Sequence, residues 1–177
     1  MKNSRPDPSE HAPYHQQYIS LVAGTDVLAV LETQRVQTLQ LFAGRSERDG
    51  NFRYQPGKWT VKEVVGHMTD TERIFAYRAL CIARGERASL PGFEQDDYVR
   101  AAGFGDRSLA SLVEEFSAVR NATLALFRSL SDEAWLRRGV ANNYELTVRA
   151  VAFITAGHEL HHRKILEECY FPAIPRA

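Results

Sequence analysis

The chain has 177 residues, enough for one domain with a hydrophobic core, and its 44% hydrophobic and 25% charged residues are ordinary for a globular protein. A formal net charge of +0 removes any general electrostatic pull on nucleic acid or on an anionic membrane surface. No apolar run approaches the ~20 residues of a membrane span. Two cysteines, Cys81 and Cys169, make no disulfide framework. A cytoplasmic protein that contacts neither nucleic acid nor membrane is the expectation.

Residues 1–13 are polar and proline-bearing, with no apolar core of a secretory signal. The expected division is an extended N-terminal arm over residues 1–17 and a single helical domain over 18–177. His11 and His15, in or just after the arm, are expected to face solvent and not to act as ligands. Thr25 or Asp26 can cap a first helix with apolar positions Val27, Val30, Leu31, Val36, Leu39 and Phe42, ending near Gly44. Residues 46–57 read as a loop. Thr60 and Glu63 form a capping box with Trp59 in the staple position, opening a second helix that stops at Gly85. Its inward stripe reads Val64, His67, Thr71, Ile74, Phe75 and Arg78, with Val61 and Met68 alongside.

Residues 85–107 carry one proline and four glycines, with a short helix predicted at 95–101. A connection this long is usually functional, or a crossover between parallel elements. Ser108, or alternatively Ser111, caps a third helix through Leu109, Leu112, Val113, Phe116, Val119, Leu124 and Phe127. Residues 131–135 read as a helical turn and 137–144 as a loop. A fourth helix is predicted over 147–169, which holds no proline and one glycine. Four long amphipathic segments and almost no strand signal give an all-α helical bundle. Cys169 reads as a small buried apolar residue.

Three of the six histidines lie within ten residues of the fourth helix. Residues four apart share one helix face, so His158 and His162 point the same way, as a pair able to share a transition-metal ion. Two ligands are a start, and the inward His67 is the candidate third, since metal sites in bundles use inward side chains of facing helices. Asp70, on the same side as His67, is a candidate fourth ligand or a support for a ligating imidazole. His161 is rotated away, towards the bundle flank or an oligomer contact. His158-Glu159-Leu160-His161-His162 also spells the H-E-x-x-H of zinc proteases, with Glu159 as base. That reading fails for want of a downstream third ligand, because Glu167 and Glu168 lie on the same helix and cannot turn back onto the ion.

Residues 58–67, His158 with His162, and the blocks 70–80 and 90–96 together resemble the DinB/YfiT-like superfamily of metalloenzymes, over roughly residues 20–170. The resemblance implies a four-helix bundle in up-down-down-up order, with a long crossover between the second and third helices. It implies a divalent transition metal, zinc or nickel most often, on histidines that map to His67, His158 and His162. Homodimers are common among similar proteins. Some members resemble S-transferases that join a low-molecular-weight thiol to an electrophile, and others are assigned as metal-dependent hydrolases.

Three functions follow for a small-molecule substrate, the S-transferase foremost and the other two as its alternatives. In a thiol-dependent S-transferase the metal lowers the pKa of a bound thiol, with Arg73, Arg78 and the loop 91–98 holding the cosubstrate. In a hydrolase the metal acidifies water, and Asp70, Glu72 or Glu159 takes the proton. In a non-catalytic metal-binding helical protein the ion stabilises the bundle, which normally requires four protein ligands. The inward Arg78 needs a carboxylate or a ligand, and Glu94, Asp96 or Asp97 of the crossover can supply the former.

Overall fold

A computed structural model describes residues 4–175. Four long helices form the bundle: α2 (Val27–Phe42), α4 (Val61–Ala83), α6 (Leu109–Ser129) and α8 (Val148–Ile165). One-turn helices α1 (Gln16–Ile19), α3 (Glu47–Gly50) and α7 (Asp132–Leu136), and the crossover helix α5 (Gln95–Ala102), lie between them. Each long helix starts on a side-chain cap: Asp26, Thr60 in a capping box with Glu63, Ser108 and Thr147. α4 packs on α6 and α8, and α2 packs on the same two helices. The order is up-down-down-up, with the long crossover from α4 to α6.

The apolar core falls into two parts. One gathers Val27 and Leu31 of α2, Ala79 and Ile82 of α4, Leu124 and Phe127 of α6, and residues 148–156 of α8 around Trp135. The other gathers Phe42, Val64, Met68, Leu112, Phe116 and Leu166. Between them a polar layer crosses all four helices at mid-length. Arg120 is fully buried and donates through Nε and Nη2 to both oxygens of Glu72, each at 2.7 Å. Its Nη1 reaches Leu31 O at 3.1 Å and Glu159 Oε2 at 2.7 Å. Thr38 donates to Glu159 Oε1, and Gln34 Nε2 donates to Ala156 O at 3.0 Å. This layer corrects the predicted stripe of the first helix. Gln34 and Thr38 are buried there, whereas Val36 is 44% exposed.

Three further expectations are corrected. The loop predicted over 137–144 is mostly a hairpin of β1 (Arg138–Ala141) and β2 (Tyr144–Thr147). Asn142 and Asn143 both take positive φ, as a two-residue hairpin turn of the right twist demands. Four-residue strands are too short to print an alternation in sequence. The hairpin in turn binds the crossover, since Leu90 N donates to Val140 O and Asn142 N donates to Leu90 O, both at 2.9 Å. Cys169 is exposed, because α8 gives way to a π turn (Leu166–Tyr170) that presents it outward.

The third correction concerns the N-terminus. Residues 1–3 of the expected arm lie outside the described residues, but residues 4–19 are packed and not loose. Glu10 is buried, accepting from Thr147 Oγ1 at 2.7 Å and pairing with Arg149, and Arg5 Nη2 donates to Ile19 O at 2.6 Å. His11 and His15 are consequently buried, each 7% exposed. α1 rests directly on α8 because Gly157 lacks a side chain: a Cβ there would stand 2.0 Å from Tyr18 O.

Replacing Arg120 with Met leaves two carboxylates buried without a cation and is expected to cost about 3–5 kcal/mol in urea denaturation at pH 7. The loss should shrink as the pH falls and Glu159, whose pKa burial raises, protonates. Gly157→Ala is expected to cost about 1–3 kcal/mol through overpacking, and limited proteolysis should then cut first within residues 4–24.

Candidate metal centre

His67 sits in the second turn of α4, and His158 and His162 sit one turn apart near the end of α8. The two helices bring all three imidazoles together. His158 Nε2 lies 3.2 Å from His67 Nε2 and 3.1 Å from His162 Nε2, and the three donor atoms fall within 4.8 Å of one another. Tetrahedral coordination with metal–nitrogen bonds of about 2.0–2.1 Å would set such nitrogens about 3.3 Å apart, close to both separations from His158, so the donor set suits a divalent ion. His67 and His158 are buried and His162 is half-buried. Burial is the leading reason that the His67 pKa drops to about 4 and that those of His158 and His162 lie well below the ordinary imidazole value. Neutral rings are the form that ligates.

Neighbours fix the rings. Thr71 Oγ1 lies 3.4 Å from His67 Nδ1, placed for the N–H that remains when Nε2 ligates. Trp59 lies 4.7 Å from the His67 ring, centroid to centroid, and its carbonyl accepts from Tyr170 Oη at 2.8 Å, tying the end of α8 to the start of α4. Tyr18 stands edge-on to His158 at 5.6 Å and to His161 at 5.5 Å. His161 stays outside the cluster of three.

Two cavities meet this centre. One, of about 310 Å3, is bordered by His67, His158, His15, Arg78, Glu94 and Asp96. The other, of about 380 Å3, reaches His162 past Trp59 and Lys58, and Gln95 and Asp96 border both.

The remaining expected site residues separate. Glu72 and Glu159 both bind Arg120 in the core and border neither cavity, so the role of proton acceptor does not suit them. Their positions one residue from Thr71 and His158 turn them about 100° away from the cavity face. Asp70 pairs with Arg73 at 3.3 Å, and it is Thr71, not Asp70, that meets the His67 Nδ1. Arg73 also pairs with Glu115 at 2.6 Å on the outer α4–α6 surface, and it borders neither cavity. Arg78 does face the cavity. It donates to Pro91 O at 2.7 Å and, among the described residues, pairs with no carboxylate, Glu94, Asp96 and Asp97 included. His15, Tyr18 and Thr71 had no role assigned at the site, and only an N-terminal segment folded onto α8 makes the first two relevant.

The family model described as the DinB superfamily matches residues 30–166. The chain belongs to the DinB superfamily. The match spans all three histidines and nearly all of the four-helix frame of this DinB protein. Among solved structures it is similar to YfiT from Bacillus subtilis, described as "a probable metal-dependent hydrolase with an unusual four-helix bundle topology". The two share 17% identity over 94% of this chain and 91% of that chain, with a TM-score of 0.73, a likeness of fold. No curated protein sequence matches the chain. Among the described residues no helix is long and apolar enough to cross a membrane.

The buried imidazoles link stability to pH. A depressed folded-state pKa means that the unfolded chain binds more protons between about 4 and 6.5, so this contribution is complete above 6.5 and is lost as the pH falls towards 4. Metal-free protein should show a falling urea midpoint across that window, and His67→Phe should flatten the slope relative to the parent chain.

Proposed function

We propose that this DinB-superfamily protein is a metal-dependent hydrolase of a small molecule, with His67, His158 and His162 holding a divalent cation, zinc or nickel foremost. The convergence of three neutral Nε2 atoms beside an open cavity carries the reading. The description printed for YfiT supports it. Such a cation acidifies water and polarises the oxygen of a scissile group. The chain's own residues supply the rest. Thr71 and Trp59 hold the first imidazole, and Tyr18 and Phe75 stand edge-on to His158, at 5.6 and 5.9 Å, as apolar walls. Glu94 and Asp96, bordering the cavity, replace Asp70, Glu72 and Glu159 as carboxylates able to take a proton. A homodimer in the cytoplasm completes the proposal.

The existence of two cavities on one centre favours a second reading, a thiol-dependent S-transferase. A low-molecular-weight thiol in one cavity would lose its proton to a bordering carboxylate, and its sulfur would form a bond to an electrophilic carbon held in the other as that carbon's bond to its leaving group breaks, the leaving group departing with the displaced electron pair and taking up the proton. A purely structural ion is disfavoured, because the cluster offers three protein donors and structural zinc takes four.

Elemental analysis of purified protein should give about one divalent ion per chain, and His67→Ala should abolish it while the helical circular dichroism persists. Ester, amide and phosphoester substrates with water alone test the first reading, and a thiol panel with a generic electrophile tests the second. Turnover with water, lowered at least ~100-fold by His67→Ala, supports the hydrolase. Product formed only when thiol is added replaces it with the transferase.

A further inference from the structure

We propose that Arg78 and His15 form an anion subsite in the cavity beside the three histidines, and that the molecule acted on there is a small carboxylate. The proposal rests on the metal-centre reading for the reaction, but not for the binding.

Arg78 is 7% exposed and carries five N–H donors, yet its polar contact is Pro91 O. A buried guanidinium without a counterion is costly, and a ligand anion in the cavity would balance it. His15 is 7% exposed too, and its Nδ1 is buried with no hydrogen-bond partner. Both residues border the cavity that contains His67 and His158, and both also border a smaller recess beneath it, against Phe75 and Ile154. Burial first, then the charges of His11 and Arg78, lower the His15 pKa to about 4. The ring is therefore neutral at pH 7 and offers one N–H to an oxygen beside the guanidinium.

The subsite is formed before any ligand arrives. Pro91 is fixed by Leu90, which pairs with the hairpin on both sides, and Gly92 lies so close to Asn142 that a Cβ would stand 2.3 Å from its Oδ1. His15 is fixed because α1 is seated on Gly157. Charge and size select among anions. One arginine balances a monoanion, whereas Glu94 and Asp96 on the same cavity repel a dianionic phosphate. A volume of about 310 Å3 is at the small end for ligand sites and suits a molecule of modest size.

Calorimetric titration of the whole chain with acetate, benzoate, benzamide and inorganic phosphate tests the subsite, in metal-loaded and metal-stripped protein. At least one carboxylate should bind in both forms, with benzamide and phosphate at least tenfold weaker. Arg78→Met and His15→Phe should each weaken the carboxylate at least tenfold with circular dichroism unchanged. Arg78→Lys, which keeps a cation should the methionine variant misfold, should weaken it less. Failure of every carboxylate to bind, equal binding of benzoate and benzamide, tighter phosphate, or affinity untouched in Arg78→Met and His15→Phe overturns the proposal. Binding confined to the metal-loaded form also overturns it, because the ion itself would then be the anion's partner. Retained carboxylate binding in a protein that takes up no metal sinks the metal-dependent function alone.

Discussion

The buried contact of Arg120 with Glu72 and Glu159 is the constraint on which the bundle depends. One guanidinium joins α6 to α4 through a two-toothed carboxylate pair, to α8 through a second carboxylate, and to α2 through Leu31 O. Burial opposes the charge on Arg120, but the two carboxylates more than restore it, and its pKa is raised. Burial also raises the pKa of Glu159, against the pull of Arg120, so the layer is held together by partners and not by solvent. Apolar packing alone lets a helix rotate or slide at modest cost. A charged layer does not, because a misplaced carboxylate would be left unpaired in the core.

That constraint aims the metal centre. Glu72 follows the turn that carries His67, and Glu159 is the residue after His158. Once each carboxylate is turned to Arg120, the histidines are turned away from it, to the buried face shared by α4, α8 and the N-terminal segment. The H-E-x-x-H letters therefore describe an arrangement unlike the protease one: the glutamate serves the core and the histidines serve the cavity. The two glycines that precede histidines allow close approach beside the same turns. A Cβ at Gly66 would stand 2.4 Å from the Phe104 ring, and Gly157 admits the Tyr18 carbonyl. The crossover and the N-terminal segment are thereby set against the very turns that carry His67 and His158.

Much was legible beforehand, for local reasons. Caps at Asp26, Thr60, Ser108 and Thr147, and the glycine stops at Gly44 and Gly85, act within a few residues and could be read directly. Spacing put His158 and His162 on one face, and the inward position of His67 made it the third member. The length of 85–107 announced a crossover. The hairpin escaped because its strands are short, and the buried Gln34 and Thr38 escaped because a polar residue inside a stripe looks like a break in it.

By itself, then, the sequence determined the four long helices, their starts, their bundle and the candidate trio of imidazoles. It did so because helix propensity, capping and the 3.6-residue period are properties of neighbours along the chain. Only the tertiary structure decided which polar residues serve the core and which serve the cavity. Glu72, Glu159 and Arg73 sit on amphipathic helices with nothing local to separate them, and the inward position of Arg78 does not say which partner it takes. The partner that claims each one is supplied by an element far away in sequence: Arg120, 48 residues from Glu72, Glu115 for Arg73, and the Pro91 carbonyl for Arg78. His15 likewise became a wall of the site only when α1 closed onto Gly157.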